Sequence, residues 1–283
     1  MVKYITGNIM DEYREWLREE EKSPVTIEKY LRDLGRFRLF LGSRALGKEE
    51  AIAFKRYLAG EGYAPTSINS MLSSVNHFLE YCGRQDCRVK TLRVQRRAYV
   101  PEERELTKGE YRRLLEASRK DPQMNLLLQT LCATGIRISE LRYFTVEALQ
   151  SGRIEVSCKN KSRTIFVPGR LCGDLLRYAR KRKIRSGPIF VTRTGTCLDR
   201  SNIWAKMKRL CKDARIDPQK VYPHNLRKLF ARTFYGMDKD IAKLADILGH
   251  SSIDTTRIYI MTTGEEHRKQ IEHMGLLMDG TSR

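Results

Sequence analysis

The chain has 283 residues, with 54 Lys and Arg against 34 Asp and Glu, so its formal net charge is +20. Hydrophobic residues make up 41% of the chain, which suffices for ordinary globular cores, and the length suggests two domains. The basic balance indicates a polyanionic partner, most commonly nucleic acid, although a basic protein with a merely solvated surface would have the same composition.

Cysteine usage and hydropathy argue against several classes of protein. The seven cysteines are odd in number and form no CxxC pair, which disfavours a disulfide framework or a zinc ribbon. The spacing of His77, Cys82 and Cys87 is a weak metal motif, so we expect no metal and no cofactor. Neither a membrane span nor the apolar core of a signal peptide is evident, and we expect a cytoplasmic protein.

The first part of the chain predicts helices separated by clear breaks. These helices are predicted over residues 8–21, 24–41, 48–59 and 65–82. Ser23 and Pro24 suit the start of the second helix, because Ser caps free amides and Pro fits the first turn. Residues 1–90 therefore predict an all-helical bundle with short loops.

Residues 91–105 are rich in Arg, contain Pro101 and fit neither helical nor strand periodicity. We interpret them as a basic linker between two domains. Its charge is consistent with a solvated tether, or with a strap that lies along a DNA backbone.

Residues 106–283 predict a mostly helical domain with a small antiparallel sheet. Thr107 opens a capping box, so a helix begins there. Residues 143–168 are predicted to have strand character, and apolar alternation at 154–156 and 165–167 predicts two strands joined by a turn at 159–162. Further helices are predicted over about 122–133, 170–183, 200–214, 224–236, 239–248, 252–260 and 265–277, with a short one near Ser139. The expected fold class is mainly α, in two domains.

Five short stretches of this second part contain side chains suited to chemistry. They are ATGIRISEL at 133–141, CKNKSR at 158–163, HNLR at 224–227, LGHS at 248–251 and TTRIY at 255–259. Taken singly, four of the stretches have an ordinary structural interpretation: Arg137 paired with Glu140, a solvated Lys159, a capping His250 and a packed Tyr259.

Taken together, the stretches supply the groups that phosphoryl transfer without a metal would need. A phosphodiester under attack gains negative charge, which Arg side chains neutralise through paired hydrogen bonds. A tyrosine nucleophile needs nearby cations and a base, because its ordinary pKa is about 10, and the leaving oxygen needs a proton from Lys or His. The candidate residues are Arg137, Lys159, His224, Arg227, His250 and Tyr259.

These stretches resemble the tyrosine recombinase (phage integrase) family, which includes the Xer-type recombinases. Their order and separations fit over the whole second half, and HNLR combined with LGHSSIDTTRIY is specific. The helical bundle resembles the family's SAM-like, core-binding domain. The resemblance implies a site-specific DNA recombinase that works through a 3′-phosphotyrosine and a Holliday junction, for integration, excision or inversion of a mobile element or for Xer-like resolution.

The resemblance also implies a role for each matched residue. Tyr259 would attack the phosphate, Arg137 and Arg227 would clamp it, Lys159 would protonate the leaving oxygen, His224 would assist proton transfer and His250 would hydrogen-bond the phosphate. Lys161 remains a rival to Lys159 as the general acid, and Lys228 stands where many members have His. Neither a metal nor ATP would be needed, since the phosphotyrosine retains the bond energy.

The implied partner is double-stranded DNA with paired recombination sites, bound by a homotetramer whose subunits could be monomers when free of DNA. The last helix, with Ile271, Met274 and Leu277, would dock into a neighbouring subunit or pack on its own domain. Such a protein would be encoded by a bacterium, a phage or a mobile element and associate with the nucleoid. A type IB-like topoisomerase and a DNA-binding protein without catalytic activity are the alternatives. We expect Arg137→Ala or Arg227→Ala to remove strand cleavage and leave DNA binding largely intact.

Overall fold

A computed structural model describes residues 3–94, 105–158, 161–261, 268–269 and 271–274. The chain divides into two compact units, Met1–Arg96 and Arg97–Arg283, as expected for two domains. The predicted boundaries at residues 90 and 105 stay predictions, because most of the basic linker lies outside the described residues.

The N-terminal unit is the predicted helical bundle. Its helices are α1 (Gly7–Glu19), α2 (Pro24–Leu41), α3 (Lys48–Gly60) and α4 (Pro65–Tyr81), followed by a 3-10 turn at Gln85–Cys87. Ser23 caps α2 as predicted, since its side chain accepts a hydrogen bond from the Thr26 amide. All four helices contribute residues to one core, in which Tyr13, Phe37 and Phe78 are fully buried.

The C-terminal unit is mostly helical with a single hairpin in its described part. Its helices are α5 (Lys108–Ala117), α6 (Pro122–Thr134), α7 (Val146–Gln150), α8 (Gly169–Lys181), α9 (Arg200–Ala214), α10 (Pro223–Asp238), α11 (Ile241–Leu248) and α12 (Ile253–Ile260), with 3-10 turns at Ile138–Tyr143 and Pro218–Lys220. The capping box is confirmed, because Thr107 and Glu110 exchange backbone-to-side-chain hydrogen bonds of 2.8 and 3.1 Å. The predicted helix over 265–277 falls largely outside the described residues.

The hairpin pairs β1 (Arg153–Cys158) with β2 (Lys161–Phe166) in antiparallel register, with Val156 opposite Arg163. The two strands were predicted, although Val167 lies just beyond β2. Ile154, Val156 and Ile165 are buried, so one face of the hairpin lies on the domain core.

Two details of the sequence prediction were wrong. Residues from 143 onward were expected to be strand-like, but α7 forms there because the Thr145 hydroxyl caps the Ala148 amide. The helix predicted from residue 239 begins at Ile241, since Lys239 adopts a left-handed conformation and Asp240 caps the new helix.

Most of the candidate residues lie at or near helix ends that meet in the C-terminal unit. The end of α6, the start of α10 and the turn between α11 and α12 meet, because α10 packs against α6, α11 and α12. Within the part of the chain that the structure describes, no helix is both long and apolar enough to cross a membrane.

Candidate active site

Arg227 is the centre of the candidate site and is almost fully buried on the first turns of α10, with 2% of its surface exposed. Its guanidinium donates hydrogen bonds to the carbonyl oxygens of Gly135 and Leu248 and to Nε2 of His250, the last at 2.9 Å. A buried charge requires such partners, since desolvation would otherwise be prohibitive. Arg227 therefore ties together the three helix ends around the site.

Burial and the nearby positive charge of Arg137 lower the pKa of Arg227 to about 10, so it remains a cation at neutral pH. Its Nε finds no hydrogen-bond partner among the described residues. Because Arg227 is a cation that lines a pocket, it is suited to an anionic group such as a phosphate oxygen.

Arg137 follows the end of α6, where Gly135 turns the chain with a φ of +61°. Glu140 holds it as predicted: the carboxylate accepts from the Arg137 backbone amide at 2.7 Å and from its guanidinium at 3.1 Å. The guanidinium also donates to the Gly249 carbonyl at 3.1 Å, and 38% of the side chain remains exposed. Arg137 is thus oriented but still open to a ligand.

Arg163 is a contributor that the sequence reasoning missed. From β2 it donates to Glu140 at 2.7 Å and to the Ile247 carbonyl, so one buried carboxylate serves both Arg137 and Arg163. The signal was present in the CKNKSR stretch, since Arg163 interrupts a strand that returns to the core two residues later.

His250 occupies the turn after α11, with both ring nitrogens engaged. Nε2 accepts from Arg227, which can only donate, so Nδ1 carries the proton and donates to the Thr256 hydroxyl at 2.7 Å. Burial, followed by the charge of Arg227, lowers the pKa of His250 to about 4, which keeps the ring neutral. Thr256, fully buried on α12, is a second residue that the sequence reasoning missed.

The Tyr259 hydroxyl lies 3.3 Å from Nδ1 of His224. The Tyr259 ring packs edge-on against His224 and His250, with centroids 4.9 and 5.0 Å apart, and the Arg227 guanidinium lies 5.9 Å from its centroid. Burial is the main cause that lowers the pKa of His224, followed by the positive charges of Lys228, Arg227 and Arg137. A neutral imidazole can accept the phenolic proton, so the pair has the geometry of a nucleophile and its base.

A pocket of about 570 Å³ opens over these groups. Arg137, His224, Arg227 and Tyr259 all line it, so the structure brings together four of the six predicted residues at one cavity, with His250 directly behind Arg227. Lys159 lies outside the described residues, and of Lys161 only the backbone at the start of β2 is described.

Comparison with known proteins assigns the chain to a protein family. Residues 104–266, more than half of the chain, match the model of the phage integrase family, and residues 10–86 match that of the phage integrase N-terminal SAM-like domain. The chain belongs to the phage integrase family. Both predicted domain types are thereby confirmed.

Relatives of this phage integrase family member extend over nearly its whole length. Tyrosine recombinase XerA of Pyrococcus furiosus is 28% identical, with 97% of this chain and 96% of the relative covered. Tyrosine recombinase XerD of Xanthomonas axonopodis pv. citri is 30% identical, with coverages of 86% and 89%. The fold resembles that of a lambda integrase tetramer bound to a Holliday junction, with a TM-score of 0.71 at 17% identity, covering 89% of this chain and 76% of that one.

Gly249, between α11 and His250, offers a test of how tightly this integrase site is packed. Its φ is +63°, and an added Cβ would approach the Arg163 side chain to 2.6 Å. We expect Gly249→Ala to lower the free energy of unfolding by about 2–3 kcal/mol, combining backbone strain with this contact. Gly152→Ala is the matched control, since its φ is +71° but nothing lies within 4 Å.

Chemical denaturation of the two variants would measure the difference. Equal losses would mean that Arg163 simply moves aside and that the turn is not tightly packed.

Proposed function

We propose that this protein is a site-specific DNA recombinase in which Tyr259 cleaves and rejoins DNA through a covalent phosphotyrosine. The observation that carries the proposal is the Tyr259 hydroxyl at 3.3 Å from His224, in a pocket that Arg137 and Arg227 also line. A tyrosine, a base and two guanidiniums at one cavity suit attack on a phosphodiester better than any other common reaction.

The proposed step begins with the Tyr259 oxygen attacking the phosphorus while its proton passes to Nδ1 of His224. The bond between phosphorus and the 5′-oxygen breaks, leaving a 3′-phosphotyrosine and a 5′-hydroxyl. Arg137 and Arg227 stabilise the charge that grows on the two non-bridging oxygens. The reverse attack by a 5′-hydroxyl reseals the strand, so the exchange balances without ATP.

Two further roles complete the mechanism. Lys159, with Lys161 as its rival, protonates the departing 5′-oxygen. His250 orients Arg227 through the 2.9 Å contact, in which Nε2 accepts. To donate to a phosphate oxygen, His250 has to release Arg227 and carry its proton on Nε2, while Nδ1 accepts from the Thr256 hydroxyl. The proposed hydrogen bond from His250 to the phosphate therefore forms on substrate binding.

The proposed substrate is a pair of double-stranded DNA sites held by a homotetramer. The net charge of +20 supports a polyanionic partner, and the lambda integrase to which the fold is similar was solved as a tetramer on a Holliday junction. The basic segment 91–105 is proposed to connect two DNA-binding domains.

A library of duplexes, each with a nick beside a randomised segment, tests the proposal and identifies the recombination site at the same time. Cleavage near the nick releases a short fragment, so the phosphotyrosine cannot be resealed and accumulates. We expect a denaturant-resistant adduct linked at Tyr259, and sequencing of its DNA gives the site. Absence of any adduct would instead support a DNA-binding protein without catalytic activity.

Plasmids that carry two copies of the selected site then separate the enzyme classes. A recombinase yields rearranged products only when both sites are present. Relaxation of any supercoiled plasmid, without rearrangement, would support the type IB-like topoisomerase instead.

Adduct formation is expected to proceed at an undiminished rate in excess EDTA, because the proposed charge stabilisation comes from guanidiniums. Rates on the nicked substrate with EDTA, with Mg²⁺ and with neither measure this. Loss of cleavage in EDTA that added Mg²⁺ restores would overturn the metal-independent mechanism while leaving Tyr259 as the nucleophile.

A further inference from the structure

A second charged cluster lies on α10, next to the candidate site but not part of its pocket. Glu105 precedes the first helix of the C-terminal unit and is 4% exposed. Its carboxylate pairs with Lys228 at 3.4 Å and with Arg232, while Arg232 also donates to the Leu106 carbonyl at 2.8 Å. The chain is therefore bound to α10 at two consecutive residues, Glu105 and Leu106, at the end of the predicted linker.

The cluster lies one helical turn from the proposed base. Lys228 follows His224 by four residues on α10, so the two side chains share a helix face. Lys228 is also the strongest charge acting to lower the pKa of His224, after burial. Its ammonium would repel a proton on His224 more strongly if no carboxylate compensated it.

Other charged and titratable groups also surround His224. Arg227 lies on the same helix, Arg137 and Arg200 line the pocket from other elements, Tyr259 contacts the ring from α12, and His250 lies beyond Tyr259. All of these except His250 line the reaction pocket, and His250 lies behind Arg227. Glu105 and Lys228 are outside the pocket, so they can be changed without removing a group that would touch DNA at the scissile phosphate.

We propose that Glu105 is a positioning residue: by pairing with Lys228 it sets the charge felt by His224 and so keeps this imidazole ready to take the Tyr259 proton. The role assigned to His224 rests on the proposed function. The electrostatic link from Glu105 through Lys228 to His224 does not, and it can be measured in the protein without DNA.

The direct test is an NMR pH titration of the His224 ring in the full chain. We expect Lys228→Met to raise the midpoint, because a positive neighbour is removed, and Glu105→Gln to lower it, because Lys228 is left uncompensated. The double variant should lie between the two. The exposed ion pair of Lys243 and Asp238, at 2.6 Å, provides the matched controls Lys243→Met and Asp238→Asn, which should leave the midpoint unchanged.

Opposite shifts in the two test variants, with none in the controls, support the proposal. Shifts of the same sign, no shifts, or equal shifts in the controls overturn it. Lys228→Met leaves the Glu105–Arg232 pair intact, so it can be measured even if Glu105→Gln fails to fold, and an unmoved His224 midpoint in this variant would by itself overturn the proposal.

Cleavage of the nicked substrate gives a second readout. On the acidic limb of the pH profile we expect Lys228→Met to cleave about two- to threefold more slowly and Glu105→Gln about two- to threefold faster, relative to each variant's own plateau. If the His224 midpoint shifts in opposite directions but the unsubstituted chain forms no adduct, the electrostatic link from Glu105 to His224 is supported and the proposed function is refuted. If the adduct forms but neither variant changes the pH profile of cleavage, only the proposed role of Glu105 is refuted.

Discussion

Replacing Tyr259 by phenylalanine is expected to abolish the covalent protein–DNA adduct while preserving the fold. The ring would keep its edge-on contacts with His224 and His250, and only the hydroxyl at 3.3 Å from His224 would be lost. Because the hydroxyl is the proposed nucleophile, no neighbouring group can replace it, and cleavage should fall below detection.

Adduct formation on the nicked substrate, DNA binding by gel shift and thermal unfolding would be measured on the same preparation. A matched control is Tyr235→Phe on α10, which removes a hydroxyl from the same unit outside the pocket and should cleave normally. An adduct that persists in Tyr259→Phe would require another nucleophile and would refute the proposed mechanism.

Arg227→Ala is expected to lose both activity and stability. The substitution leaves the buried carbonyls of Gly135 and Leu248 without their donor, and each unsatisfied buried group costs about 1–3 kcal/mol. We therefore expect the free energy of unfolding to fall by about 2–5 kcal/mol. Cleavage should drop by at least about a thousandfold, the effect typical of removing a group that stabilises transition-state charge.

Arg137→Ala is the variant to compare with Arg227→Ala. Its side chain is 38% exposed and it bonds to Glu140 and to one carbonyl, so cleavage should drop comparably with a smaller loss of stability. The sequence alone led us to expect the two alanine variants to behave alike, and the burial of Arg227 separates them. Denaturation and cleavage assays on both variants, with gel shifts for binding, check this. Equal stability losses would contradict the structural assignment.

Local patterns predicted most of the fold because they depend on near neighbours in sequence. The Thr107 capping box and the Arg137–Glu140 pair each span three residues, and both are present in the structure. Helix α7 was missed because five residues are too few to show a periodicity, and its formation depends on the Thr145 cap.

The candidate site was predictable as a set of residue types but not as a network. Arg163 reaches Glu140 across 23 residues and Ile247 across 84, contacts that no local pattern encodes. Likewise, nothing in the sequence indicates that Thr256 occupies one nitrogen of His250. The choice between Lys159 and Lys161 stays a prediction, as do the roles of the six residues.

Glu140 is the one carboxylate to which both Arg137 and Arg163 are paired in the described part of the chain. Arg163 belongs to the hairpin of β1 and β2, so any displacement of this hairpin would remove one of the two cations paired with Glu140, the carboxylate that orients Arg137. The position of one strand pair is therefore coupled to the orientation of Arg137, a proposed phosphate ligand, with no change needed at Tyr259 itself.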